Sequence, residues 1–510
     1  MTAADLASPT AVRSEDLLFE GAEWNFDTMQ RAHDAVERIA LDDLGLSVFP
    51  NQIEVISAEQ MLDAYCSVGM PLMYSHWSFG KRFVRDEALY RKGYQALAYE
   101  IVINSNPCIS YYMEENTMAM QTLVLAHAAF GHNHFFKNNY LFQHWTDPSG
   151  ILDYLDFAKR FVAGCEEKHG FAEVESVLDA AHALMGQGVF RYRRAAKQNL
   201  AEYERRRQER LVQAAQNYND LWRTVPSHAH SKPATLSEAE AKERKRRLRL
   251  PEENLLYFLE KNSPTLAAWQ RELIRIVRNT AQYFYPQRQT KVMNEGCATV
   301  VHYYIVNKLF DEGRISEGAL MEILHSHSSV VYQVDYDDQR FSGLNPYALG
   351  FAMMQDIRRI CSSPTAEDRE WFPDIAGRED WRAVLRDVWA NYRDESFVRQ
   401  FLSPHLMRQF KLFLLTDKEM EKALRIDAIH DAEGYRRLRS ALADSYDVGA
   451  GEPDIEVIDV DLLGNRELKL RHNVRKGVKL GENGREATLR HIRRLWGYDV
   501  SLTEVAADGG

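Results

Sequence analysis

Residues 118–130 form the most apolar stretch of the chain and limit how the rest can fold. Residues such as Leu123, Leu125 and Phe130 would make a helix in this stretch apolar nearly all round, so other elements must enclose it. The stretch is shorter than the roughly 20 residues that span a bilayer, and it contains His127. We therefore expect a buried helix inside a large soluble body, with no direct membrane insertion.

Helical spacing of apolar residues dominates elsewhere, for example over Asp27–Leu44. Val48–Ile56 is rich in β-branched residues and contains a proline, which predicts a short strand. Tyr90–Ile103 is compatible with either an extended or a helical segment. Near the end of the chain, 455–463 and 467–471 alternate as a hairpin, followed by a short helix and a last strand. The predicted fold class is mainly α: a large helical body with short strands and a small C-terminal α+β unit.

Changes in composition along the chain predict five segments. They are a flexible N-terminus (1–14), a first half of the helical body (15–200), a charged helix and linker (201–251), a second half of the body (252–450) and the α+β unit (451–510). The basic run Lys242–Arg249 in the linker is accompanied by glutamates, so a solvated surface is favoured over a binding site for an anionic partner.

Net charge and cysteine content argue against several classes of function. Sixty-three Lys and Arg against 74 Asp and Glu give a net charge of −11, which argues against a dominant nucleic-acid surface. The five cysteines are scattered without a Cys-x-x-Cys pair, so a disulfide framework and a thiolate zinc site are not expected. The N-terminus carries no signal-peptide pattern, and we expect a cytoplasmic protein.

Three histidines, His127, His132 and His134, follow one another closely in the apolar stretch and just beyond it. Buried imidazoles need partners, and one metal ion would satisfy several of them. If the helix continues through Gly131, His127 and His134 share a face and His132 turns away; if it ends there, His132 and His134 form a pair. Core histidines bonded to backbone carbonyls are the alternative.

A second segment places Glu295 and His302 seven residues apart, on one helical face. They would lie roughly 10 Å apart along the axis, too far to chelate one ion together. We therefore predict Glu295 as a general base and His302 as a metal ligand beside His127 and His132. A capping glutamate and an unrelated core histidine is the competing interpretation.

Further polar residues are predicted to lie around the ion or on the substrate side. They are Glu322, His325, His327, His134, Glu115 and His76. The predicted ion is divalent zinc, iron or manganese, the metals that suit imidazole and carboxylate ligands. The chain contains no His-Glu-x-x-His motif, no phosphate-binding loop and no Gly-x-Gly-x-x-Gly.

Several long and unusual motifs resemble the SpoVR family of stage V sporulation protein R. They are Gly69–Gly80, His127–Asn138, Met293–Gly296, His325–His327, Asn345–Gly350 and Trp371–Asp374, and the resemblance extends over about residues 15–500. It implies a factor in spore-cortex peptidoglycan formation or, in bacteria that do not sporulate, in stress physiology. It also implies two partners, a PrkA-like serine kinase and a von Willebrand-A-like protein. The family has no established catalytic activity, so the resemblance does not indicate a reaction.

Three functions thus remain open at this point. The first is a cytoplasmic envelope or stress factor that acts with that kinase and contains a buried His/Glu metal site. The second is a metal-dependent hydrolase with Glu295 as base and His127, His132 and His302 on the ion. The third is a di-metal oxidase, which would need Glu322–His325 and Glu166–His169 to face inward together.

Overall fold

The computed structural model describes residues 16–66, 73–78, 81, 84, 100–191, 248, 250–416, 422–423, 425–475 and 479–506. The predicted flexible N-terminus (1–14), the charged helix and nearly all of the basic run Lys242–Arg249 lie outside the described residues. Among the described residues, no helix is both long and apolar enough to cross a membrane.

Helices make up most of the described chain, so the mainly α prediction is confirmed. In chain order they are α1 (Phe26–Arg38), α2 (Ala58–Cys66), α3 (Met118–Val124), α4 (Asn133–Asn138), α5 (Tyr140–Trp145), α6 (Ile151–His169), α7 (Phe171–Ala183), α8 (Leu255–Asn262), α9 (Ala268–Gln289), α10 (Lys291–Asp311), α11 (Glu317–Val330), α12 (Pro346–Ser362), α13 (Ala366–Trp371), α14 (Trp381–Asn391), α15 (Asp394–Phe401), α16 (Pro404–Gln409), α17 (Ala432–Ser445), α18 (Val448–Gly451) and α19 (Glu482–Trp496). Two π-helical segments, Ile39–Asp43 and Leu125–His132, continue α1 and α3, and Met185–Gln187 is a 3₁₀ turn.

Short strands form three small sheets. The strands are β1 (Asn51–Ile56), β2 (Glu100–Ile103), β3 (Cys108–Met113), β4 (Leu414–Thr416), β5 (Arg425–Ala428), β6 (Ile455–Val460), β7 (Leu468–Val474) and β8 (Val500–Ala506). In the first sheet β3 is central, parallel to β1 and antiparallel to β2. Strands β4 and β5 pair as an antiparallel ribbon, and β7 is central in the third sheet, antiparallel to β6 and parallel to β8.

Side-chain caps begin the helices that matter most for the site. Thr117 accepts a hydrogen bond from the backbone N–H of Met120 at the start of α3, and Ser316 does the same for Ala319 in α11. Asn345 caps α12, whose first residue is a proline. Such caps satisfy backbone donors that the first helical turn leaves unpaired, so these helices begin at defined residues.

The chain divides into two compact units, each built from separate stretches of sequence. The first contains Met1–Pro71, Lys81–Phe142 and Thr290–Tyr446, and the second contains Leu72–Gly80, Gln143–Gln289 and Asp447–Gly510. This grouping differs from the two consecutive halves expected from the sequence. Composition along the chain does not reveal it, because contacts between residues distant in sequence define each unit.

Helix α10 lies in the core of the first unit and packs closely on two neighbours. A Cβ atom added to Gly131 would lie 2.5 Å from the Cα atom of Ala298 in α10. A Cβ atom on Gly350 in α12 would lie 2.2 Å from the carbonyl oxygen of Val292. These distances are shorter than van der Waals contact, so the helices approach this closely only because glycine occupies these positions.

In the second unit, helices α6–α9 and the C-terminal segment share one apolar core. The buried residues include Leu256, Ile274, Val457, Leu470 and Trp496. The backbones of Glu252 and Val457 also exchange two hydrogen bonds, of 3.0 and 2.9 Å. The predicted hairpin, helix and last strand are thus present as β6, β7, α19 and β8, but their apolar face is buried against α6–α9.

Candidate metal centre

The buried histidines of the apolar stretch lie in a π-helical segment, Leu125–His132. The backbone N–H of Asn133 bonds to the carbonyl oxygen of Ala128, five residues earlier, which is the π-helical pattern. In an α-helix five residues turn about 500°, so His127 and His132 would point about 140° apart. The wider π turn brings them onto one face, and their rings meet edge to face with centroids 4.6 Å apart.

This arrangement differs from both alternatives considered from the sequence, because His132 joins His127 and His134 turns away. The Nδ1 atom of His134 lies 3.0 Å from the backbone N–H of Ser47, and its ring packs on Trp389. Burial lowers the pKa of His134 to about 4. His134 therefore acts as a neutral partner for the crossing chain before β1.

Helix α10 supplies the opposite wall of the site with Asn294, Glu295 and His302. The Oε2 atom of Glu295 lies 3.5 Å from Nε2 of His132 and 3.9 Å from Nε2 of His127. Residues Glu295 and His127 are thus close enough to share one ion.

The fourth residue, Glu100, begins strand β2. Its Oε1 atom lies 3.6 Å from Nε2 of His127. One ligand atom from each of Glu100, His127 and His132 lies within 4.8 Å of the other two. Ligands of a tetrahedral zinc ion, at bonds of about 2.1 Å, lie about 3.4 Å apart, so these separations are near those of a metal site.

Burial and charge act together on the carboxylates. Burial, followed by the negative charge of Glu295, raises the pKa of Glu100 to about 8. The Oε2 atom of Glu295 has no hydrogen-bond partner among the described residues. Burial and the neighbouring rings of His132 and His302 lower the pKa of His127, so the His127 ring is neutral at pH 7 and does not offset the charge of Glu295. A divalent cation would satisfy this oxygen of Glu295.

The remaining nitrogen of each histidine has its own partner. Nδ1 of His132 donates to Oδ1 of Asn294 at 3.0 Å, and Nε2 is the ring nitrogen that faces Glu295. Nδ1 of His127 lies 2.9 Å from Nδ1 of His302. Outer partners of this kind orient ligand histidines and set their tautomers in metal sites.

His302 was predicted as a direct ligand, but both its nitrogens are already in use. Its Nε2 atom lies 2.9 Å from Nδ1 of His327, so His127, His302 and His327 form a buried chain. Burial, then the neighbouring charge of His327, lowers the pKa of His302, and burial lowers that of His327 to about 4. All three rings are therefore neutral, and each can donate through one nitrogen and accept through the other.

Four other sequence candidates do not reach this cluster. Helix α11 buries Ala319, Ile323 and His327, so Glu322 and His325 lie on its exposed side. Glu322 accepts a hydrogen bond from the Thr117 hydroxyl. The carboxylate of Glu115, also exposed, accepts from the backbone N–H of Ala58 at 3.3 Å.

The fourth, His76, belongs to the second unit. Its ring bonds to Ser78 at 2.7 Å and to Asp179 at 3.1 Å. His76 thus takes part in a separate hydrogen-bonded group, which the sequence spacing could not distinguish from the metal-site candidates.

Sequence reasoning missed Glu100 and Asn294. Glu100 is a single carboxylate ahead of three β-branched residues, and only the pairing of β2 with β3 brings it to the histidines. Asn294 adjoins Glu295 in the Met293–Gly296 motif, so the sequence does contain a signal for it.

Together these observations describe a mainly helical protein in which two histidines and two glutamates lie close together, and three of them, Glu100, His127 and His132, could hold a metal ion. The SpoVR like protein family model matches residues 23–451, and the SpoVR-like C-terminal domain model matches residues 453–507. The chain belongs to the SpoVR family. It is 52% identical over 492 residues to Uncharacterized protein YcgB of Escherichia coli strain K12, covering 96% of this chain and 94% of that protein. No solved structure matches it.

Proposed function

We propose that this chain is a metal-dependent enzyme with one divalent ion bound by His127, His132 and Glu295. The observation that carries the proposal is the position of Glu295 Oε2, within 4 Å of Nε2 of both histidines and without a hydrogen-bond partner among the described residues. A buried charge without a partner costs several kcal/mol, on the order of the loss when one member of a buried ion pair is removed. An ion at this point supplies the missing partner.

The donor atoms support zinc, iron or manganese. Imidazole nitrogen and carboxylate oxygen suit all three metals, whereas a thiolate would favour zinc or copper. Cys297 is fully buried in α10, and burial raises the pKa of its thiol. It therefore stays a thiol, and its sulfur lies 3.8 Å from the carbonyl oxygen of Gly131.

Two histidines and one glutamate are a ligand set of catalytic zinc sites, which keep a further position open for water. The ion would lower the pKa of that water and generate a nucleophile for hydrolysis. Glu100, beside His127, is the residue that we assign as general base in place of Glu295. The positive charge of the ion would lower its raised pKa, so that the carboxyl group loses its proton and can act as a base. Its carboxylate is largely buried, at 17% exposure, and is not required to complete the ligand set.

The histidine chain provides a path for protons behind the ion. With an ion on its Nε2 atom, His127 would carry its proton on Nδ1 and would donate it to His302 Nδ1. His302 then donates through Nε2 to His327 Nδ1. One tautomer sequence thus satisfies all three rings at their 2.9 Å separations.

Elemental analysis of protein purified without chelators tests the proposal. We expect about one zinc, iron or manganese ion per chain, and its loss in His132→Ala and Glu295→Gln. Glu100→Gln should keep the ion, and the matched control His325→Ala, an exposed histidine of α11, should keep it as well. A metal-free wild-type protein that takes up no added zinc, iron or manganese would contradict the proposal.

On the family resemblance alone, we further propose a cytoplasmic role in envelope or stress physiology with a PrkA-like serine kinase and a von Willebrand-A-like protein. The support is membership of the SpoVR family over nearly the whole chain. Affinity purification of the tagged chain from stressed cells, followed by mass spectrometry, tests it. Recovery of neither partner, with and without cross-linker, would contradict this role independently of the metal result.

A further inference from the structure

We infer that a cavity in the first unit binds a small molecule that carries a positively charged amino group on an apolar body. The cavity has a volume of about 1110 Å³ and lies between the segment after α11, helix α12 and the segment from α16 to β4. This volume is slightly above the range of about 300–1,000 Å³ for small-molecule sites. None of the four metal-site residues lines it.

Most of the wall is apolar, which defines the body of the ligand. Five aromatic side chains contribute to it. They are Tyr336, Phe341, Phe351, Phe410 and Phe413. Leu406, Leu412 and Leu415 add aliphatic surface. A ligand with an alkyl chain or ring system would bury apolar area here, at about 25 cal/mol for each Å².

One acidic residue in the wall, Asp356 of α12, carries the charge argument. It is only 4% exposed. Its Oδ1 atom accepts a hydrogen bond from Nε of Arg359 at 2.7 Å. Its Oδ2 atom is buried and has no hydrogen-bond partner among the residues that the structure describes. A buried carboxylate oxygen in this state favours a donor from outside the chain.

Arg359 does not neutralise Asp356, because a second carboxylate takes most of its guanidinium. Asp368 accepts from both terminal nitrogens of Arg359, at 2.6 and 2.8 Å, in a bidentate pair. Asp368 is held in this position by the backbone N–H and hydroxyl of Thr365, at 2.8 and 2.7 Å. Two carboxylates and one guanidinium leave one negative charge at the cavity wall.

The other Asp and Lys residues of the wall, Asp335, Asp337 and Lys411, are exposed and bring no excess positive charge that would offset Asp356. Lys411 pairs with Asp335 at 3.6 Å, and both side chains are largely exposed, at 80% and 71%. Water screens an exposed pair of this kind, so it has little influence on a buried site. The excess negative charge at Asp356 therefore selects a cation, and an ammonium group would supply both the charge and the missing hydrogen bond.

Calorimetric titration of the full chain with three eight-carbon probes tests this inference. Octylamine, octan-1-ol and octanoate share an alkyl chain and differ in charge. We expect octylamine to bind at least about tenfold more tightly than the other two, the factor expected for one charge-assisted hydrogen bond. Equal binding of all three, or no binding of octylamine, would overturn the inference.

Three variants test whether Asp356 is the group that binds the ammonium of octylamine. Asp356→Asn should reduce octylamine binding to the level of octan-1-ol, whereas Asp337→Asn, an exposed aspartate of the same wall, should leave the preference intact. Ala352→Trp should fill the cavity and weaken all three probes. A preference for octylamine that survives Asp356→Asn in a protein with a wild-type melting curve would show that this carboxylate is not the recognition group.

Discussion

The Oε2 atom of Glu295 lies 3.5 Å from Nε2 of His132, although the two residues belong to different helical segments. The contact depends on two local features: the π turn that rotates His132 toward His127, and the close approach of Gly131 to Ala298. A π turn is a less favourable backbone geometry than an α-helix, and the close approach restricts residue 131 to glycine. Unfavourable local geometry of this kind is frequent at functional sites.

We predict that Gly131→Ala destabilises the protein. The added Cβ atom would lie 2.5 Å from the Cα atom of Ala298, so the two segments must separate, at a cost of about 1–3 kcal/mol. The matched control is Gly164→Ala in α6, where an added Cβ atom meets nothing within 4 Å. Denaturant melts should show a lower free energy of unfolding for Gly131→Ala and no decrease for Gly164→Ala. Equal stability of the two variants would contradict the close packing described here.

We predict that the metal-free protein loses stability between pH 7 and 8. Folding raises the pKa of Glu100 from 4.5 to about 8, so in this range the folded state binds the proton more tightly than the unfolded state. The contribution of Glu100 to the free energy of unfolding is fully present below pH 4.5. It falls as the pH rises above 4.5 and is lost once the pH has passed about 8. The buried histidines have lowered pKa values, so they affect stability only at lower pH. There they make the free energy of unfolding rise with pH, the opposite of the effect of Glu100.

The control for this pH dependence is Glu100→Gln, which keeps the shape of the side chain without its ionisation. Chemical melts of both proteins at closely spaced pH values should give a falling stability only for the wild type. Superimposable profiles would show that Glu100 is not buried beside Glu295 as described.

We predict that His302→Ala weakens metal binding without abolishing it. His302 contacts His127 at 2.9 Å and does not reach the proposed ion itself, so its removal should cost about 10–100-fold in affinity, as for other outer partners of ligand histidines. His134→Ala, a buried histidine of the same chain segment, should leave the affinity unchanged. Competition with a chromophoric chelator measures both. Complete loss of the ion in His302→Ala would make His302 a ligand.

We predict that residues 1–450 do not form a soluble fragment by themselves. Removal of β6, β7, α19 and β8 exposes apolar residues such as Leu256 and Ile274, which share a core with Val457 and Leu470. An exposed apolar surface of this kind promotes aggregation. Size-exclusion chromatography of the fragment should show aggregates, and a monodisperse fragment with native helical content would instead support a separable C-terminal unit.

The sequence predicted the elements well where periodicity determines them. Alternation around 455–471 corresponds to β6 and β7, and the β-branched run before Ser57 contains β1. The sequence could not predict that His132 faces His127. Facing positions were inferred from the periodicity of an α-helix, and the segment that contains both residues is π-helical.

Long-range pairing accounts for what else was missed at the site. Glu100 reaches the histidines only because β2 pairs with β3, and Tyr90–Ile103 carries no pattern that distinguishes a strand from a helix. His302 was predicted as a ligand because it lies on the same helical face as Glu295, although the seven-residue spacing is too long for both to chelate one ion. Its hydrogen bonds to His127 and His327 depend on two further segments that spacing within α10 cannot describe.

The most direct test of the proposed centre is the anomalous diffraction signal from crystals of the metal-loaded protein. We predict one peak in the first unit, about 2.0–2.3 Å from Nε2 of His127, Nε2 of His132 and a carboxylate oxygen of Glu295. No ordered ion at this position in protein that has taken up stoichiometric metal, or an ion bound elsewhere, would contradict the assignment.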